Sequence, residues 1–376
     1  MKKVLIMTAS TGHGHNQVAN VLEQELKETG CRVKIADIFS EENPLLKISV
    51  SDAYNRMATS SSFLNGFIYR TSNQDMVNRG LVRLIYRLLH KPVQAVLLKE
   101  QADLIIITHP ILINVLGELK LRGWFDQPII SVITDFDVHR LYVNQQIDAY
   151  IAGSPETSDL LRMMGISRSK IYINGIPVRR AFQKSSQKYG LDSRFNILLM
   201  GGSLGVKTIK RVLGILMRTS LPVHLVVVCG KNLRLKRELE RKYLPKCPGH
   251  IELEILGFSS RIDELMDQAD ILFSKPGGIT TTEAINKGVP IAVPFLIPGV
   301  EEGNCRILQE EGLVIKIERL KDIPQLVERV HSDPAVLRQI SHRMKDFAKS
   351  YSMDSTILLC QDLIKRYSIQ NEQHQG

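Results

Sequence analysis

The sequence predicts an α/β protein made of two halves, each with its own parallel sheet. Short apolar segments that resemble buried strands alternate with helix-like segments along the whole chain of 376 residues, as in folds with parallel sheets. A polar stretch at 179–194 interrupts this alternation near the middle. Ligands of parallel α/β sheets bind beyond the carboxyl ends of the strands, so we expect the functional residues in the loops that follow the strands.

The first half, 1–178, has the pattern of one domain. Its predicted strands lie at 4–8, 32–36, 104–108, 129–134, 149–152 and 170–173, with helices at about 15–28, 111–121 and 155–165. Residues 44–100 form a long insertion between the second strand and the third. This insertion is the one place in the first half where strand and helix do not alternate tightly.

The second half, 195–350, follows the linker at 179–194 and predicts a second domain. Its strands lie at 196–200, 223–229, 251–255, 271–273, 291–293 and 314–317, with helices at about 206–217, 232–243, 260–268, 279–287 and 303–311. Helical sequence then runs from 320 to about 367. We expect 351–376 to be a C-terminal helix and tail.

Composition restricts the class of protein. Hydrophobic residues make up 44% and charged residues 23% of the chain, which is ordinary for a globular enzyme. Apolar runs stay shorter than the 18 or so residues that a membrane-spanning helix needs. The five cysteines are scattered without CxxC spacing, which favours a reducing, cytoplasmic location over a disulfide framework or a zinc site.

The charge distribution favours an anionic partner. The net charge is +10, and residues 201–250 carry eleven Lys or Arg against only Glu238 and Glu240. Nucleic acid, an anionic membrane and an anionic substrate all fit such a balance. Because no set of aromatic residues accompanies this basic window, we expect no nucleic-acid partner.

The insertion contains an amphipathic helical pattern. Basic residues recur every four positions, and apolar residues fill another face; the basic set is Arg79, Arg83, Arg87 and Lys91, and the apolar set is Leu81, Leu84, Ile85, Leu88 and Leu89. Phe63 and Phe67 lie just upstream. Such a helix either rests in a membrane interface or packs its apolar side on its own domain.

Three histidines follow strands of the first half: His15, His109 and His139. His15 lies at a glycine-rich turn between strand and helix, where an imidazole can act as a general base or can cap its own helix. Asp135 follows another strand, and we favour a role in orienting a histidine over a role in metal binding. Three histidines at equivalent strand ends indicate a shared site.

Two glycine turns of the second half fit a phosphate. Gly277 and Gly278 join a buried strand to a helix whose N-terminal N–H groups can bind an anion, and Glu283 follows one turn later as a candidate ribose ligand. Gly202 and Ser203 open a similar turn without the GK[ST] ending of a Walker loop. The alternative for each turn is plain helix capping.

The motifs SKPGGITTTEA, PGVEEGN, GGSLG, GIPVRRAF and TGHGHNQVA occur together in an order that resembles the GT-B diacylglycerol glycosyltransferases. That family includes the monogalactosyldiacylglycerol synthases and the processive diacylglycerol glucosyltransferases, and it is distantly similar to the peptidoglycan lipid-linked N-acetylglucosamine transferase. The resemblance covers roughly 1–350. It implies two Rossmann-like domains that face each other across a cleft, with the C-terminal helix returning to the first domain.

The resemblance also implies an activity. The expected reaction is inverting transfer of a hexose from UDP-glucose or UDP-galactose to the hydroxyl of diacylglycerol, with no cofactor and no metal. The first domain would face the acceptor and an anionic membrane surface, the second would bind the nucleotide-sugar, and the enzyme would attach peripherally to the inner face of the cell membrane.

The same resemblance implies roles for individual residues. His15 matches the catalytic base, with Asp135 as the rival base. The expected nucleotide-sugar ligands are Gly14, Gly202, Ser203, Gly277, Gly278, Thr280, Thr281, Glu283, Glu301 and Asn304. The expected acceptor or membrane contacts are Phe63, Phe67, Arg79, Arg83, Arg87, Lys91 and His139.

Two departures from the family pattern leave the donor sugar open. Val300 stands where the pattern PGQExxN has Gln, and GHGH replaces the more common GGGH. The alternatives are a transferase that moves N-acetylglucosamine from its UDP donor to another lipid, a UDP-N-acetylglucosamine 2-epimerase, and a sensor that binds UDP-sugar without turnover.

Overall fold

The computed structural model describes residues 1–10, 13–39, 75–183, 194–201, 206–297, 299 and 301–375. The chain divides into two compact units. The first is built from Met1–Val178 and Ser350–Gly376, and the second from Arg179–Ile297 and Glu301–Lys349. Each unit has its own parallel sheet and its own hydrophobic core.

Six parallel strands form the sheet of the first unit, in the order β2-β1-β3-β4-β5-β6. The strands are β1 (Lys3–Thr8), β2 (Arg32–Asp37), β3 (Leu104–Ile107), β4 (Ile129–Val132), β5 (Ala149–Ile151) and β6 (Ile171–Tyr172). The helices are α1 (His13–Glu28), α2 (Asp75–Glu100), α3 (Pro110–Leu121) and α4 (Pro155–Met163). Every residue of β3 and β4 is buried, because helices cover both faces of such a sheet.

Strand register brings the loops of the first unit together. Met7 of β1 lies beside Ile107 of β3, and Ile107 lies beside Ser131 of β4. Because the three strands are parallel, the segments after Thr8, Ile107 and Val132 emerge at one edge of the sheet. This edge carries the three histidines singled out in the sequence.

The second unit repeats this architecture, with the strand order β12-β11-β10-β7-β8-β9. Its strands are β7 (Phe195–Met200), β8 (Val223–Val228), β9 (Ile251–Leu256), β10 (Ile271–Phe273), β11 (Ile291–Val293) and β12 (Val314–Lys316). Its helices are α5 (Val206–Leu216), α6 (Leu233–Tyr243), α7 (Ile262–Gln268), α8 (Gly278–Lys287), α9 (Glu302–Glu310), α10 (Ile323–Ser332) and α11 (Ala335–Phe347). Phe273 lies beside Leu199, so the segments after β7 and β10 emerge side by side.

The helix α12 (Met353–Gln375) belongs to the first unit although it follows the second in sequence. The backbone N–H of Ser352 donates to the carbonyl of Asn174, and the Tyr367 hydroxyl donates to Asp126, 2.8 Å away. Its side chains Thr356, Ile357, Leu359, Cys360 and Ile364 are buried. The fold predicted from the sequence, α/β with two parallel sheets, is confirmed.

None of the helices that the structure describes combines the length and the apolar composition needed to cross a bilayer.

Candidate active site

A hydrogen-bond network organises the segment between β1 and α1. The Asp37 carboxylate at the end of β2 accepts the backbone N–H groups of Ser10 and Phe39, each at 3.0 Å. Asn16 donates to the Ser10 hydroxyl and accepts from the Thr8 hydroxyl. These contacts fix the first turn of α1, which carries Gly14 and His15, against the edge of the sheet. Asp37 and Asn16 were not predicted as site residues from the sequence.

The His15 ring is held by two oxygens. Its Nδ1 lies 2.8 Å from the carbonyl oxygen of Thr108 and 3.0 Å from the Thr134 hydroxyl, which itself contacts the Tyr142 hydroxyl at 3.2 Å. A carbonyl oxygen can only accept, so we assign the proton of the neutral ring to Nδ1. Nε2 then keeps its lone pair and can accept a proton from a substrate.

The surroundings of His15 keep the ring neutral. Desolvation lowers the pKa of His15 below its usual value, while the negative charge of Asp135 and the hydrogen bond to the Thr108 carbonyl act in the opposite direction. Asp135 is therefore the charge that stabilises the imidazolium form once His15 has taken a proton. The structure thus brings together the two residues predicted as rival bases.

The other two histidines cap helices. Nδ1 of His109 accepts the backbone N–H of Ile111 at the start of α3, and its ring meets the His15 ring edge-on, 4.3 Å between centroids. Burial and the neighbouring His15 hold the pKa of His109 well below its usual value. Nδ1 of His139 accepts the backbone N–H of Leu141. His139 is 4% exposed, so it lacks the exposed surface that the predicted membrane contact would need.

The glycine turn of the second unit leads directly into α8. Gly277 precedes the helix in an extended conformation, and no side chain caps the helix N-terminus. In the first turns Thr282 donates its hydroxyl to the Gly278 carbonyl, whereas the buried Thr281 hydroxyl has no hydrogen-bond partner among the described residues. Unused N–H groups, the positive end of the helix dipole and this hydroxyl together suit an anion. Thr280 is half-buried here, and Glu283 is buried one turn further along α8.

A lysine that sequence analysis missed lies over this turn. The Lys275 ammonium pairs with the Glu301 carboxylate, which also accepts the Ile297 backbone N–H at 2.9 Å. A Cβ added at Gly277 would lie 3.1 Å from Lys275 Nζ, so the turn has room for the ammonium because residue 277 is glycine. A basic residue inside the SKPGG motif was the signal available in the sequence.

Glu301 and Asn304 both support the turn from the start of α9. Glu301 is 3% exposed and already engages Lys275 and Ile297 through its two oxygens. Asn304 is fully buried, and its amide donates to the Pro276 carbonyl, 3.2 Å away. The structure therefore brings both predicted residues to the glycine turn before α8, where their observed contacts orient Lys275 and the backbone.

The exposed side of α2 differs from the predicted pattern. Arg79, Arg83, Arg87 and Lys91 are exposed as expected. The apolar set splits: Ile85 and Leu89 pack on the core of the first unit, whereas Leu84 and Leu88 are 54% and 43% exposed. The predicted apolar face is therefore divided. Ile85 and Leu89 pack on the core of their own unit, whereas Leu84 and Leu88 share the solvent side with the basic residues.

Several predicted residues lie outside the described ranges. These are Phe63, Phe67, Gly202, Ser203 and Val300. Within the described ranges, no three His, Cys, Asp or Glu side chains cluster as metal ligands would.

Two family models match the chain in succession. Residues 15–178 match the monogalactosyldiacylglycerol (MGDG) synthase model. Residues 196–331 match the glycosyltransferase family 28 C-terminal domain. The first match covers most of the unit that holds His15, and the second covers the glycine turn before α8.

Curated relatives match over nearly the full length. The chain is 32% identical to the processive diacylglycerol beta-glucosyltransferase of Bacillus licheniformis, with 98% of this chain and 96% of the relative covered. The chain belongs to the diacylglycerol glycosyltransferase family. The Bacillus subtilis member, also a processive diacylglycerol beta-glucosyltransferase, is 30% identical, with 97% of this chain and 95% of the relative covered. The chain is thus a glycosyltransferase.

Solved structures agree on the fold of this family member. MurG of Acinetobacter baumannii superposes with a TM-score of 0.67 at 17% identity over 96% of this chain and all of that one. The calicheamicin glycosyltransferase CalG4 superposes with a TM-score of 0.64 at 14% identity, over 97% of this chain and 99% of CalG4. A UDP-GlcNAc 2-epimerase from Neisseria meningitidis superposes with a TM-score of 0.59 at 14% identity, over 95% of this chain and 99% of the epimerase. At these identities the likeness establishes the GT-B fold alone.

Proposed function

We propose that the protein transfers a hexose, with inversion, from a UDP-sugar to the hydroxyl of diacylglycerol at a membrane surface. The relatives at about 30% identity are named diacylglycerol beta-glucosyltransferases, which supports UDP-glucose as the first donor to test. The observation that carries the proposal is the fixed ring of His15, whose Nδ1 is tied to the Thr108 carbonyl and whose Nε2 is left basic.

In the proposed step, His15 Nε2 takes the proton of the acceptor hydroxyl as the hydroxyl oxygen attacks the anomeric carbon of the donor. The bond from that carbon to the diphosphate oxygen breaks on the opposite face, and UDP leaves with the bonding electrons. Asp135 stabilises the resulting imidazolium. This step needs one general base. Proton transfer to a positioned base typically raises the reaction rate by a factor of about 100 to 10,000.

The second unit would bind the donor. The open N-terminus of α8, the unpartnered Thr281 hydroxyl and the Lys275 ammonium lie at one turn, and all three favour a diphosphate over a neutral group. Stabilisation of the departing charge by fixed protein groups is the reason we propose a reaction without a metal. Glu283, buried on the same helix, is our proposed ribose ligand.

The exposed side of α2 would meet the membrane. Arginines there alternate with exposed Leu84 and Leu88, and this mixture suits the boundary between lipid headgroups and acyl chains. Diacylglycerol stays in the bilayer, so the enzyme would dock peripherally on the inner face of the cell membrane.

Mass spectrometry of lipids tests the proposal. The protein is incubated with diacylglycerol in mixed micelles and with UDP-glucose, UDP-galactose or UDP-N-acetylglucosamine in parallel. We expect a hexosyl-diacylglycerol from one of the first two donors, and at least about 100-fold less of it from the His15→Ala variant. A hexosamine product, or epimerised donor without any lipid product, would contradict the proposal.

A further inference from the structure

Helix α6 exposes a basic face that the catalytic assignment does not use. Leu235 and Leu239 are buried in the core of the second unit. On the opposite side, residues recur at helical spacing of three and four. We call this side the α6 outer face. It consists of the exposed residues Leu233, Arg234, Arg237 and Arg241, together with the exposed Leu244 that directly follows the helix.

The two acidic residues of α6 offset this charge only in part, because Glu238 interacts electrostatically with Arg234 and Arg241 without forming an ion pair with either. Glu238 pairs with Lys210 of α5, 2.6 Å away, and Glu240 pairs with Lys236. Both carboxylates thus neutralise lysines at the sides of the helix. Among the described residues, no carboxylate lies within ion-pair distance of Arg234, Arg237 or Arg241.

Aliphatic side chains occupy the same face. Leu233 is 56% exposed and Leu244 is 46% exposed, at the two ends of the arginine cluster. A surface that served only solubility would not need leucines among its arginines. Arginines flanked by exposed leucines combine the two attractions of an anionic bilayer interface, which are burial of apolar side chains and attraction to negative headgroups.

We propose that the α6 outer face is a second membrane-docking surface of this enzyme, and that its partner is a bilayer of anionic phospholipids. The inference deepens the proposed function and rests on the need to reach a lipid acceptor. It gives the nucleotide-binding unit its own attachment to the surface, in addition to the one assigned to α2.

Nucleic acid is the other polyanion to consider. Single-stranded nucleic acid is held by basic grooves lined with aromatic rings on which bases stack. Tyr243, the one aromatic residue of α6, is instead packed on α5: its hydroxyl lies 3.0 Å from the position of a Cβ at Gly214, and Lys242 covers its ring. The α6 outer face itself therefore offers arginines with leucines. The exposed Phe258 follows Gly257, which neighbours Leu233, but one ring does not form a platform for successive bases, which favours lipid.

Vesicle sedimentation of the full chain tests the inference. The vesicles contain equal parts of phosphatidylglycerol and phosphatidylcholine, or phosphatidylcholine alone, at low and high salt. The test variant is Arg234→Gln, Arg237→Gln, Arg241→Gln. The matched control is Lys321→Gln, Arg338→Gln, Lys345→Gln, which removes the same charge from exposed positions elsewhere in the second unit.

We expect the α6 variant to lose about a hundredfold in partitioning onto anionic vesicles, and the control to lose less than a few-fold. A Leu233→Ser, Leu244→Ser variant should weaken the binding that persists at high salt. Equal losses in the α6 variant and its control, or no loss in either, would overturn the inference. So would tighter binding of a single-stranded oligonucleotide than of the vesicles, abolished by the same arginine substitutions.

Glycosyl transfer in neutral detergent micelles separates this inference from the proposed function. The α6 variant should retain wild-type turnover there, because its substitutions lie outside the catalytic residues. If the wild-type protein formed no glycolipid while the α6 variant still lost vesicle binding, the proposed function would fail and the docking surface would stand.

Discussion

His15 donates its Nδ1–H to the carbonyl oxygen of Thr108, 2.8 Å away, and this bond leaves Nε2 as the basic atom of the ring. We expect His15→Ala to lower kcat by about 100- to 10,000-fold. Thr134→Val removes the second oxygen beside Nδ1 and should lower kcat only several-fold, because the Thr108 carbonyl remains. Initial rates of glycolipid formation at saturating donor measure both. Equal losses in the two variants would indicate a structural rather than a catalytic effect.

The acid limb of the pH profile should report His15. Its pKa is lowered from 6.5, so the neutral, basic form persists to a pH below that value, and activity falls only as the pH passes through the lowered pKa. Asp135→Asn removes a charge that raises this pKa, so the acid limb should move to still lower pH. A shift toward higher pH in a kcat profile of this variant would show that Asp135 does not act through His15.

Lys275 should contribute to binding of the diphosphate. We expect Lys275→Gln to weaken UDP binding about 10- to 100-fold, since a hydrogen bond to a charged group contributes roughly 1.5–3 kcal/mol, and to leave uridine binding nearly unchanged. Lys275→Arg should restore part of the loss. Glu301→Gln should give an intermediate effect, because Lys275 loses the partner that orients it. Calorimetry with UDP and uridine measures these values, and an equal loss for both ligands would count against phosphate contact.

The exposed side of α2 should bind anionic vesicles. Arg83→Gln combined with Arg87→Gln should weaken partitioning by about 30-fold, at roughly 1 kcal/mol for each charge near the surface. Arg32→Gln with Lys34→Gln serves as the control, since both side chains are exposed on the edge strand of the same unit. Cosedimentation at low salt gives the values. Indistinguishable binding of the two double variants would remove α2 from the membrane contact.

A chelator should leave the reaction rate unchanged. In the proposed step, the open N-terminus of α8 and Lys275 would stabilise the leaving diphosphate by fixed positive charge, so no divalent ion would be required. The measurement is the initial rate with excess EDTA against buffer alone. A loss of activity that added magnesium or manganese restores would contradict the prediction.

The fold was predictable because its signals are local. Strands such as Leu104–Ile107 and Ile129–Val132 are short, continuous apolar runs, and both are buried throughout. Helix exposure was harder to predict: Leu84 and Leu88 obey the same spacing as Ile85 and Leu89, yet only the latter two meet the core. Periodicity defines the faces of a helix, whereas tertiary packing decides how wide the buried face is.

The candidate site was predictable in its residue types and less so in its contacts. Loop position identified His15 and Asp135 as neighbours, but the acceptor for Nδ1 is a main-chain carbonyl, which leaves no trace in the sequence. Glu301 was expected to contact the nucleotide-sugar, and the structure pairs it with Lys275. That pairing depends on the path of the chain between β10 and α9, which no spacing rule encodes.

The position of α12 in the first unit sets the order in which the chain can fold during synthesis. Cys360 and Ile364 complete a hydrophobic layer of a unit whose first strand begins at Lys3. The ribosome must therefore translate the whole second unit before α12 can take its place in the first. Nascent chains usually fold domain by domain from the N-terminus. Here the second unit can fold first, while the N-terminal strands still expose an apolar surface to which a chaperone can bind.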